Sequence, residues 1–163
     1  MTFKNVVILP VKEFIYEHKT DWKSIYIGNV VGFLSAIHMG TLIATTWPYL
    51  KILNPSINEQ TFGIIRGASS FANILASAFA GYVSNRTNDT KPSMIAAKVL
   101  AIISAVIYLL IEVITSVELG LFIASEIIHG ISMGLMSVFR TYVAMNSTET
   151  DRSKAFGITM FAM

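Results

Sequence analysis

Apolar residues run along this chain in four long blocks separated by short polar ones. The blocks cover roughly residues 24–50, 61–84, 93–114 and 119–145. A fifth opens with "AFGITMFAM" over 155–163. A bilayer's hydrocarbon core of about 30 Å requires ~20 mostly apolar residues in a helix. Each of the four complete blocks reaches that length, so the pattern predicts four transmembrane helices and an incomplete fifth. The preceding stretch, 1–23, holds only the short apolar run "NVVILPV" before the charged "KEFIYEHKTDWK". It is expected to be a cytosolic leader, not a cleaved signal.

Polar positions inside the blocks recur at helical spacing. Ser35, His38, Thr41 and Thr45 fall in one stripe of the first span, roughly 120° wide. In the second, Arg66, Ser70, Asn73, Ser77 and Ser84 lie within about 60°. In the fourth, Glu126, His129, Met133, Ser137 and Arg140 share a face of about 80° and rise through roughly 21 Å. Ionisable groups in a bilayer are costly unless they face protein or water, so such faces are candidate linings of an aqueous path. The candidate cavity residues are therefore His38, Thr41, Thr45, Arg66, Asn73, Glu126, His129 and Arg140. Hydroxyls bonded to their own helix carbonyls, and pairing of Glu126 with His129 at i, i+3, are the plainer alternatives. The third block carries Lys98 near its start and Glu112 near its end, where long side chains snorkel, and is apolar between them. It is expected to face lipid. Small residues four apart, Gly63 and Gly67, Ala76 and Ala80, Ser77 and Gly81, Gly130 and Gly134, predict close helix contacts.

Composition agrees with a membrane class: of 163 residues 53% are hydrophobic and 13% charged, and mean hydropathy is +0.61. The net charge of +2 gives no basic patch for nucleic acid. Basic residues do set a direction. Lys4, Lys12, Lys19 and Lys23 precede the first span, Arg86 and Lys91 follow the second, and Arg152 and Lys154 follow the fourth. Only Lys51 occupies an opposite loop. The bias places the N-terminus in the cytosol, where the sequons at Asn85, Asn88 and Asn146 meet no glycosylation machinery. With no cysteine, and with His18, His38 and His129 far apart, no metal site is expected. "GISMG" lies mid-helix, which excludes a nucleophile elbow. Neither an enzyme nor a cofactor is predicted.

The loop "GYVSNRTNDTKP" then becomes informative. It resembles the cytosolic signature G-x-x-x-D-[RK]-x-G-x-[RK]-[RK] of the major facilitator superfamily. Gly81, Arg86 and Lys91 match it, Asn85 stands for the acid and Asn88 for the second Gly. "WPYLKILNP", "GYVSN", "FRTYVA" and "DRSKAFG" are similar to a lysosomal branch of that superfamily, from about Trp47 onward. The position matching the family's fourth-span arginine is Glu126.

The resemblance implies an all-α integral membrane fold of twelve helices in two six-helix halves, each a pair of inverted three-helix repeats. Residues 24–163 would be part of the N-terminal half, the C-terminal helices of the same chain being missing. The expected function is transport of a small solute or ion across an endolysosomal membrane by alternating access. Gly81, Asn85, Arg86 and Lys91 would form a cytosolic latch. A non-transporting four-span scaffold and an anion channel on the same fold are the alternatives.

Overall fold

A computed structural model describes residues 19–113 and 117–162. The leader up to residue 18 and the end expected for the third span at 114 lie outside the described residues. Among the described residues six helices follow one another: α1 (Trp22–Leu53), α2 (Glu59–Thr87), α3 (Lys91–Leu110), α4 (Glu118–Met136), α5 (Phe139–Met145) and α6 (Arg152–Ala162). α4 and α5 make one span, Glu118–Met145, and with α1, α2 and α3 they give four helices long and apolar enough to cross a membrane.

Local chemistry sets where these helices begin and turn. The Asp21 carboxylate accepts from the Ser24 backbone N–H at 3.1 Å, satisfying one of the donors that a helix start leaves open. Asn58 does the same for α2 through Thr61 at 2.8 Å. α2 stops at Asn88, whose φ of 51° is left-handed. Asparagine tolerates that conformation better than other side-chain-bearing residues. This explains why Asn88 can stand where the loop signature usually has glycine. Pro92 then occupies the first turn of α3, where its missing N–H costs nothing. Between α4 and α5 the ladder tightens, Ser137 N–H donating to the Gly134 carbonyl three residues back.

α4 is the central helix. Half of its most apolar window is buried, against 17% in each of the other three spans. It packs along both α2 and α3. Glycine makes the α2 contact possible: a Cβ on Gly130 would run into the Ser69 carbonyl, and one on Gly134 into the Asn73 carbonyl. Hydroxyls seal both seams. Ser69 donates to the Glu126 carbonyl at 2.7 Å, Ser104 to the Ser125 carbonyl at 2.9 Å and Ser132 to the Ala97 carbonyl at 2.7 Å. Such bonds from small side chains hold helices together where no water competes. The other glycine spacings work differently. Gly63, Gly67 and Gly81 have open space where a Cβ would be.

α1 stands off from α2, α3 and α4, its main backbone contact being with α6. It is nonetheless held near both ends. At its start, Asp21 N–H donates to the Asn146 carbonyl at 2.9 Å, and the Thr20 hydroxyl donates to the Asp151 carboxylate at 2.8 Å. Beside that knot, Ile25 packs with Phe139, Val143 and Ala155. At the far end Leu50 joins Ile57, Ile65, Ile111 and Phe122, flanked by the aromatic pairs Trp47–Phe62 and Tyr49–Tyr108. Large apolar side chains such as Ile64, Phe71, Ile95 and Val106 point outward from α2 and α3, as suits helices bathed in lipid.

Candidate functional site

Where α1 stands off, two cavities open. The larger, about 510 Å³, is walled by α1, α3 and α4. The smaller, about 200 Å³, lies beside Glu126, Ser125 and Tyr108. His38 and His129 border both. Their rings meet edge to face, centroids 5.6 Å apart at 75°. His129 is only 7% exposed, and neither of its ring nitrogens has a hydrogen-bond partner.

The polar face read along the fourth span is divided by the structure. Glu126 turns to α2, and Oε2 accepts from the Arg66 guanidinium at 2.9 Å. The partner offered by the plainer alternative, His129 one turn on, instead faces α1. The reason is the close seam at Gly130, which brings Arg66 within reach of the carboxylate. Arg66 also lies over the Phe62 ring, 5.6 Å from its centroid. Ser137 is drawn to α2 as well, accepting from Ser77 at 3.0 Å. Met133 stays on the large cavity beside His129. Arg140 lies beyond the break, exposed on α5, outside the linings of these two cavities.

On α1 the arc facing the cavities runs through Ser35, His38 and Leu42. Thr41 and Thr45 are exposed at its edge, donating to the carbonyls of Ile37 and Thr41 in their own helix. Asn73, on α2, is half-buried with its carbonyl against Gly134.

One residue changes role between sequence and structure. Lys98, expected to snorkel from a lipid-facing helix, is half-buried on the wall of the large cavity and donates to the Ser35 hydroxyl. α3 begins at Lys91, which puts Lys98 about 10 Å into the helix. It shares a face with Ala101, Ile102 and Ala105, all on the same cavity. That i, i+3, i+4, i+7 spacing was the available sequence signal. Asn29, buried in α1 with both side-chain polar atoms unpartnered, was not singled out at all.

The loop residues gather elsewhere. Gly81, Asn85 and Asn88 border a hollow of about 280 Å³ against Thr141 and Met145 of α5. The Arg86 guanidinium donates to the Tyr82 hydroxyl at 3.1 Å. Lys91 is exposed, its N–H capped by the Asp89 carboxylate at 2.9 Å. Among the described residues no three His, Cys, Asp or Glu side chains converge as metal ligands.

Four membrane-length helices, three of them walling cavities that bear ionisable groups, define a multi-pass integral membrane protein. Residues 12–163 match the family described as Sugar (and other) transporter, and the chain belongs to that family, within the major facilitator superfamily. The helices fit the N-terminal part of its fold. The chain is 25% identical over 137 residues to major facilitator superfamily domain-containing protein 8 of Xenopus laevis. That match covers 84% of this chain and 27% of the relative, so the chain spans about a quarter of the relative's length. No solved structure matches it significantly.

Proposed function

We propose that this chain provides substrate-facing helices of a major facilitator transporter that moves a small solute or ion by alternating access. The observation that carries this reading is the group formed by Arg66, Glu126, His38 and His129. An ion pair and two edge-to-face imidazoles are held within apolar helices, the imidazoles where two cavities meet and Glu126 on the smaller of them. Charges are retained at such depth where they serve a pathway. The family description, which names sugars and other solutes, agrees with a transport role.

Helices completing the second half would come from the rest of the protein, and rocking of the halves would expose the cavity to alternate sides. Gly81, Asn85, Arg86 and Lys91 would form the latch on the cytosolic side, with the N-terminus there too. The likeness to a lysosomal branch makes an endolysosomal membrane the compartment proposed. The test is transport by the full-length protein in proteoliposomes against a panel of metabolites. A solute accumulated by wild type and lost in Glu126→Gln supports the role. Transport equal in the two removes Glu126 from it.

A further inference from the structure

The large cavity holds a charge that nothing on its walls cancels. Arg66 and Glu126 neutralise each other across the α2–α4 seam. Lys98 does not share in that pair. Among the described residues it meets no carboxylate, only the neutral Ser35 hydroxyl, which itself donates to the Val31 carbonyl. An ammonium has three donors, so two remain for something in the cavity. His129, on the same cavity, adds a buried imidazole whose two nitrogens are both unpartnered.

The remaining wall is apolar. Val31, Leu34, Met39, Ile102, Met133 and Met136 supply most of it. A hydroxyl-rich solute buried there would lose its water and find few replacements. An anion with an apolar body meets the wall on its own terms: the charge answers Lys98, the hydrocarbon covers the methionines and branched chains, and one oxygen accepts from His129. We infer that the cavity between α1, α3 and α4 binds a small amphipathic organic anion, a monocarboxylate, with Lys98 as its charge partner and His129 as a second donor. This rests on the transport reading for its purpose but not for its test.

Equilibrium binding separates the two. The full chain is placed in nanodiscs of a zwitterionic lipid and titrated with labelled hexanoate, competed with hexanol, hexylammonium and chloride. Wild type is expected to bind hexanoate, with hexanol a weaker competitor and hexylammonium and chloride weaker still. Lys98→Gln should bind about tenfold more weakly, the order expected when a charge-assisted hydrogen bond is lost. Lys98→Arg should restore most of the affinity, which a merely unfolded variant would not. Undiminished hexanoate binding in Lys98→Gln overturns the inference. So does hexylammonium competing as well as hexanoate, or chloride matching it mole for mole. A protein that binds hexanoate through Lys98 yet carries no solute in proteoliposomes keeps this site and loses the transport role. One that carries other solutes and ignores hexanoate does the reverse.

Discussion

Arg66 and Glu126 depend on each other, and the dependence is measurable. Removing the guanidinium strands a carboxylate whose side chain is 5% exposed. Arg66→Leu should therefore cost about 3 kcal/mol, in the range for breaking a buried pair from one side. Arg66→Leu with Glu126→Leu should cost less than Arg66→Leu alone. Unfolding of the purified protein in detergent gives the cycle, and strictly additive costs would show the pair to be uncoupled. Asp21 offers a second residue-scale test, outside the membrane spans. The Ser24 hydroxyl, and then its backbone N–H, donate to the carboxylate and hold it below its ordinary value of 3.8. An acid depressed in the folded state stabilises above its unfolded value and loses that contribution as pH falls through the folded one. Asp21→Ala should thus be less thermostable than wild type at neutral pH, the gap closing below about pH 4. A gap that persists in acid would mean the cap acts through packing.

Helices were the legible scale, and their contacts less so. Four apolar blocks at membrane length announce four spans because a bilayer leaves backbone polar groups no other solution. Which face of each helix meets which neighbour depends on backbone approach, and spacing alone does not encode that. The small-residue repeat reads the same at Gly63–Gly67 and Gly130–Gly134. Only the second pair has a neighbouring backbone against it. Lys98 was obscured for a related reason, since a lysine a few residues inside a span looks alike whether it reaches out to headgroups or across to Ser35. The glycine contrast is itself a prediction. Gly130→Ala must push α2 from α4 and should destabilise by about 1–3 kcal/mol, as overpacking does. Gly67→Ala, facing open space, should be neutral or stabilising by up to about 1 kcal/mol through helix propensity. Thermal melts of the two variants in one detergent decide it, and equal losses would mean the α2–α4 seam is looser than described.

The whole molecule carries an orientation. Lys19, Lys23, Arg86, Lys91, Arg152 and Lys154 all fall in segments that alternate crossings put at one end. With no native cysteine, single introduced ones report sidedness cleanly. Asn88→Cys should react with a membrane-impermeant maleimide only after permeabilisation that opens the cytosolic face, and Ser56→Cys only from the opposite side. The reverse pattern inverts the topology. The same scale shows how α1 works mechanically. It is a beam resting on two supports: the Thr20–Asp151 knot at its start, and the Leu50 cluster at its end. The cavity lies along the middle, which the Lys98–Ser35 bond and the His38–His129 contact tie more lightly. A beam held at both ends can bow but cannot swing, so the gap between α1 and α3 has a preferred width. Thr20→Val loosens the first support, leaving it to the Asp21–Asn146 bond and the Ile25 cluster. Spin labels at positions 40 and 109 should then show a broader spread of distances than in wild type. A threonine at the membrane's edge would thereby set the bore of a cavity it never touches.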